Sequence, residues 1–169
     1  AVMLWSESAA GDFPVDAVLS MVAIAAATER ALHGTGHTID MSLLHAEDDS
    51  GSIASAAGVL AQLRDACCIA TYTETGATAV RVARTRSSVP ILAVCPTETV
   101  ARPLNLVWGV TPVVSRNKEE FASSRDGHFP PRIAPDGLIQ PDQAVVVTSG
   151  STHGQAGGTD SLKIAYMSA

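Results

Sequence analysis

From Ser50 onward, short apolar runs rich in β-branched residues alternate with helix-forming stretches, a spacing that strand–helix–strand units satisfy. Ser50 or Ser52 can cap a helix reaching about Ala66, and Cys67 to Tyr72 then reads as a strand buried on both faces. Thr73 to Gly76 turns into a helix from about Ala77 to Arg86, Ser87-Ser88 breaks it, and Val89 to Cys95 gives the next strand. Pro96-Thr97 opens a short helix ending near Leu104, and Leu106 to Ser115, interrupted by Pro112, is a third strand candidate. Gln143 to Thr148 and Ser161 to Met167 are strands joined by the Gly-rich segment Ser149 to Asp160, short enough to return the chain antiparallel. The expected fold is a three-layer α/β/α sandwich with a mostly parallel sheet and a C-terminal antiparallel hairpin strand. Between these parts, Asn117 to Pro135 reads mostly as loop, since Pro130, Pro131 and Pro135 cannot continue a helix, with a turn or two over Lys118 to Ser124.

The N-terminal part has a different pattern. Ala1 to Leu4 reads as a short strand, Trp5 to Gly11 as a loop, and Pro14 opens a helix to about Leu32 whose two sides are both apolar. His33 to Ser50 lacks periodicity and reads as a linker. Ala1 in place of a Met start is expected to lie inside a longer sequence. The longest apolar stretch, Val15 to Ala27, falls short of a membrane span. A formal charge of −6, with no basic run, excludes a nucleic-acid backbone or an anionic membrane as partner. Cys67, Cys68 and Cys95 form an odd set with no CxxC spacing, the pattern of core thiols in a reducing cytosol. His33, His37 and His45, with Asp40, Glu47, Asp48 and Asp49, lack metal-ligand spacing. Ser151 near His153 is no triad without geometry, and Gly154 to Gly158 lacks the Lys of a P-loop.

Three segments, in order, carry a resemblance to a known family. Ala1-Val2-Met3-Leu4-Trp5-Ser6-Glu7-Ser8-Ala9 followed by Gly11-Asp12-Phe13-Pro14 resembles the last barrel strand, and the loop after it, of pyruvate kinases. Cys68 to Arg84, with Thr73-Glu74-Thr75-Gly76-Ala77-Thr78, resembles the strand, phosphate loop and helix that open the same family's regulatory domain, and Val89 to Val94 and Trp108 to Val113 resemble its next strands. Gly157-Gly158-Thr159-Asp160-Ser161 resembles its closing hairpin. The resemblance implies a barrel remnant at 1–32 (last strand and helix), a linker at 33–50 and the C-terminal regulatory domain at 51–169. It also implies Mg²⁺ and K⁺ in the whole enzyme, a cytoplasmic homotetramer, and phosphoryl transfer from phosphoenolpyruvate to ADP by groups on earlier barrel strands. No catalytic residue or metal ligand is assigned within this chain, which is expected to be inactive alone. Glu7 and Ser8 match family positions at the barrel's active face, whereas Trp5 stands where the family has Ser.

The resemblance places a phosphorylated effector at Thr73, Thr75, Gly76 and Thr78, covered by Gly157, Gly158 and Thr159. Free amides at a helix N-terminus favour an anion, and the Thr hydroxyls add donors. The same threonines would also serve as plain helix caps, and Glu74 repels a phosphate unless it turns outward. The family's fructose-bisphosphate sites use Trp and Arg from the closing loop, and Ser149 to Asp160 has neither. A sugar phosphate such as a ribose phosphate, or a nucleoside monophosphate, is the expected class of ligand, with Arg81, Arg84 or Lys163 as counter-charges where the fold brings them close. Two other readings are a stand-alone binding or assembly module detached from any barrel, and a small α/β enzyme in its own right. The barrel-like segment Ala1 to Pro14 opposes the first, and the lack of a convergent acid, base or nucleophile set opposes the second.

Overall fold

The computed structural model describes residues 2–34, 48–135, 138–150 and 158–167. Backbone contacts divide the chain into two units, Ala1–Thr38 and Ile39–Ala169. The first unit holds α1 (Ser6–Ala9) and α2 (Pro14–Gly34). Pro14 opens α2, where a missing N–H costs nothing and the fixed φ suits a helix. Val15, Leu19, Val22 and Ile24 on this helix are exposed, although an element apolar on both sides calls for cover on both. The strand expected at Ala1 to Leu4 is not formed over the described residues 2–4. A strand exists only by pairing, and the described part of this unit offers no second strand.

The second unit runs α3 (Asp49–Leu63), β1 (Cys68–Tyr72), α4 (Ala77–Arg84), β2 (Ile91–Cys95), α5 (Glu98–Leu104), β3 (Val110–Val114), α6 (Lys118–Arg125), β4 (His128–Phe129), a 3₁₀ turn at Pro131–Ile133, β5 (Ala144–Ser149) and β6 (Ser161–Met167). The strands form one sheet in the order β3-β2-β1-β5-β6-β4. Every neighbouring pair is parallel except β5 and β6, which run antiparallel from Ala144↔Tyr166 to Ser149↔Ser161. The α/β fold with a mostly parallel sheet and a returning hairpin is therefore the one expected from the sequence.

Alternation along the strands builds two apolar layers. Cys68, Ala70, Leu92, Val94, Val145 and Val147 face one side with Phe129, Ile133 and Ile139. Ile69, Ile91 and Val146 face the other, against Ala54, Ala57 and Ala61 of α3 and Val82 and Ala83 of α4. The alanines of α3 recur at helical spacing, and their small side chains let the helix lie close to the sheet. On the same side, Ala101 and Leu104 of α5 cover Ala93 and Cys95. Residues of β2 are buried throughout, which is why this strand reads as a continuous apolar run.

Departures from expectation have local causes. Asp48, not Ser50 or Ser52, caps α3, its side chain accepting from the Gly51 amide at 2.7 Å. Pro112 is tolerated because β3 is an edge strand with no ladder partner on its outer side. In the segment expected to be mostly loop, the turn or two expected over Lys118 to Ser124 is formed as α6, capped by Asn117, which accepts from Glu119 N–H at 2.9 Å. The segment also contains β4, which pairs with the end of β6 through His128↔Tyr166 and Phe129↔Met167. Tyr72 pins α6 to the sheet through a 2.6 Å hydrogen bond to Ser124 Oγ and an edge-on contact with Phe121; burial pushes the Tyr72 phenol up to about 12.

Candidate functional site

In an open α/β sheet, ligands bind beyond the carboxyl ends of the strands where the strand order reverses. Here that point lies between β1 and β5, since the chain runs from β1 outward through β2 to β3 and later returns to β5 on the other side of β1. Residues 73–76, leaving the end of β1, stand at this position. The Thr73 amide donates to Val94 O at 3.1 Å, continuing the ladder, and the Gly76 amide donates to Thr73 Oγ1 at 2.9 Å, closing the turn. Gly76 sits at φ 88° as the residue before α4, a left-handed conformation that glycine adopts at no steric cost. Turning the chain this sharply aims the first amides of α4, which have no acceptor within the helix, out of the turn.

The structure brings Thr73, Thr75, Gly76 and Thr78 together on this turn, but gives them different situations. Thr75 is exposed, whereas Thr73 and Thr78 are buried. Thr78 Oγ1 lies 2.6 Å from Thr159 Oγ1, and the Thr159 amide donates to Ser50 Oγ at 3.1 Å. Thr159 thus lies over the turn from the hairpin side, next to exposed Gly158, and Gly157 lies outside the described residues. Sequence reasoning missed Ser50 as part of this arrangement; its only visible signal was a Ser near the start of a helix.

Beside the turn, a cleft of ≈ 640 Å³ runs between α4 and α5. Thr75, Gly76, Arg81 and Arg84 line it together with Glu74, and Val100, Leu104 and Val107 form its apolar wall. Two of the three basic residues named from the sequence, Arg81 and Arg84, therefore line the same cleft as Thr75 and Gly76. Arg81 also reaches Asp48 at 3.4 Å, joining α4 to the cap of α3. Lys163 is elsewhere: its Nζ donates to the Arg125 carbonyl, so it is not a counter-charge here. The cleft is lined by two arginines, one of them paired with Asp48, by Glu74 and by an apolar wall, so an anionic end of a ligand would lie beside the arginines and away from Glu74.

Other sequence candidates find no comparable setting. Among the described residues no three His, Cys, Asp or Glu side chains converge as metal ligands would. His37, His45, Asp40 and Glu47 lie outside those residues, as do Ser151, His153 and the Gly154 to Gly157 segment. Cys68 is fully buried, and a hydrogen bond with Cys67 and burial push its thiol well up; burial pushes Cys95 up to about 11. Cys67 departs from the expected core thiol: it is half-buried and drawn down to about 7, chiefly by its hydrogen bond with Cys68. In the first unit, Ser8 Oγ donates to Trp5 O at 3.2 Å and Trp5 is 70% exposed.

Comparison with known proteins places these features in context. Residues 51–165 match the family model "Pyruvate kinase, alpha/beta domain". A pyruvate kinase of Agrobacterium vitis is 34% identical over 175 residues, covering 100% of this chain and 35% of that protein. Pyruvate kinase 2 of a Synechocystis species is 36% identical, covering 100% of the chain and 28% of its own length. A pyruvate kinase of Geobacillus stearothermophilus is 35% identical, covering 99% of the chain and 28% of its own length. The chain thus spans about a third or less of these relatives.

Proposed function

The chain belongs to the pyruvate kinase family, whose alpha/beta domain it carries at residues 51–165, and from that premise we propose that it is the regulatory and assembly domain of a phosphotransferase, inactive by itself. In the intact enzyme, phosphoenolpyruvate and ADP would react on groups outside this chain. Phosphoryl transfer needs metal-held carboxylates and a cation over the transferring group. By the family resemblance Mg²⁺ and K⁺ would be held by groups of the intact enzyme outside this chain, and no residue here is assigned to them.

The domain's own chemistry is anion recognition. A phosphate at the 73–76 turn would meet the exposed Thr75 hydroxyl and the first amides of α4, with the helix dipole in its favour. Arg81 and Arg84 in the adjoining cleft would neutralise it, and the apolar wall at Val100 and Leu104 would receive the rest of a sugar phosphate or nucleoside monophosphate. The observation that carries this reading is the left-handed Gly76 turn at the strand-order reversal, directly beside a cleft lined by two arginines. Effector binding there would be tied to contacts within a cytoplasmic homo-oligomer, through two global states that differ in the contacts they make. No described helix is long and apolar enough to cross a membrane.

Purified chain supplied with phosphoenolpyruvate, ADP, Mg²⁺ and K⁺ is expected to form no pyruvate above the enzyme-free rate in a lactate dehydrogenase-coupled assay. Sustained pyruvate formation that scales with chain concentration would refute the assignment of the chemistry to other parts of the enzyme.

A further inference from the structure

A second cavity, of ≈ 490 Å³, lies at the outer edge of the sheet, between the end of β3, the start of α6 and the 3₁₀ turn at Pro131–Ile133. Val113 and Ile133, which line it, pack with the layer of Leu92 and Val94, whereas α4 and α5 cover the other face. It shares no lining residue with the cleft beside the 73–76 turn. Ile133 is buried and anchors the 3₁₀ turn in the core, which leaves its neighbour Arg132 exposed at the cavity.

Two arginines from different elements meet this space, Arg116 from the junction of β3 and α6 and Arg132 from the 3₁₀ turn. Arg116 is held from behind: its Nε donates to Pro96 O at 2.8 Å, which leaves the terminal nitrogens of the fork for another acceptor. Among the described residues neither guanidinium is in an ion pair. One carboxylate, Glu120, also lines the cavity, and its Oε2 accepts from Ser115 Oγ at 2.6 Å. Ser115 Oγ itself accepts from the Asn117 amide at 3.3 Å, so its one proton is committed to Glu120. Two guanidiniums against one carboxylate leave a single positive charge in excess.

We infer that this cavity is a second binding site, for a small organic monocarboxylate whose carboxylate meets Arg116 and Arg132 and whose apolar body lies against Val113, Ile133 and Pro135. The planar fork of Arg matches a carboxylate in two parallel hydrogen bonds. The single excess charge suits a monoanion, and the fixed Glu120 opposes a dianionic phosphate. A cavity of this size and mixed lining suits a small molecule. A plain carboxylic acid and an α-amino acid share this chemistry, and only the second has an ammonium for Glu120 to receive. The site stands whether or not the 73–76 turn binds an effector.

The test is calorimetric titration of the full chain with 4-methylpentanoate, L-leucine and inorganic phosphate, for the parent, Arg132→Gln, Glu120→Gln and Arg84→Gln, with amide chemical shifts followed in parallel. At least one of the two carboxylates is expected to bind the parent at millimolar concentration and to move the amides of 113–117 and 132–135. Arg132→Gln is expected to weaken it about tenfold, the equivalent of about 1.4 kcal/mol, and Arg84→Gln to leave it unchanged. Arg132 is exposed, so Arg132→Gln should melt with the parent. Glu120→Gln keeps an acceptor for Ser115 and separates the two sources: it tightens 4-methylpentanoate by removing a like charge and weakens L-leucine by removing the partner of its ammonium. No binding of either carboxylate would overturn the site, as would binding that survives in Arg132→Gln and is lost in Arg84→Gln. Phosphate held at 113–117 and 132–135 more tightly than either carboxylate would overturn the ligand class.

Discussion

Leu92→Ala is expected to destabilise the domain by about 3–4 kcal/mol, the range for a fully buried Leu truncated in a core that cannot collapse around the gap. Leu92 is wholly buried on β2, a strand with neighbours on both sides, and packs in the layer formed by Cys68, Ala70, Val94, Phe129, Val145 and Val147. Residues on the flanking strands are fixed by the ladder, so they have little room to move inward. Against a total stability of about 5–15 kcal/mol this is a large fraction, and the thermal midpoint should fall by about 10 °C for a chain of this size. Circular dichroism melts of the parent and the variant measure it. A drop of only a degree or two would mean that Leu92 is not at the centre of the sheet's core.

Gly76→Val should cost about 2–3 kcal/mol and abolish the anion binding proposed for the turn. Two effects add. At φ 88° a β-branched side chain is strained whatever space surrounds it, and a Cβ at this position would lie 3.2 Å from Leu104 Cδ2. Leu104 can give by a few tenths of an ångström, so the backbone strain dominates. Relieving it rotates the Gly76 amide away from Thr73 Oγ1, which opens the turn. Gly76→Ala, without the branch, should show a smaller loss of stability in the same urea unfolding series. Equal stability of Gly76→Val and the parent would show that the turn does not need the left-handed conformation.

Much of this architecture was legible because the strands that matter are buried on both faces. Cys68 to Tyr72 and Ile91 to Cys95 have nearly unbroken apolar runs, and their neighbours carry cap and breaker residues, so strand and helix alternate visibly. Illegible parts depend on partners far away in sequence. Residues 128–129 are a strand only because the end of β6 is there to pair with them, and no pattern of two residues carries that information. Residues 2–4 show the converse, with an apolar run that has no ladder to join. At the site, Thr73, Thr75, Gly76 and Thr78 could be picked out as a turn before a helix, because the chemistry of anion binding and capping needs those residue types at that spacing. Ser50 could not, since its role comes from Thr159 alone. Arg81 and Arg84, named from the sequence as counter-charges, line a cleft only because α5 is placed opposite α4, and Lys163 lies on the other face of the sheet.

Whether the domain is an effector module is tested most directly by thermal unfolding of the chain with AMP, ribose 5-phosphate, fructose 1,6-bisphosphate and inorganic phosphate, alongside Thr75→Ala and Thr78→Ala. A ligand at a hundred times its dissociation constant stabilises the native state by about 2.7 kcal/mol. The account predicts a rise in midpoint with AMP or ribose 5-phosphate in the parent, lost in both variants. A midpoint unmoved by every ligand, or moved equally in parent and variants, would contradict it.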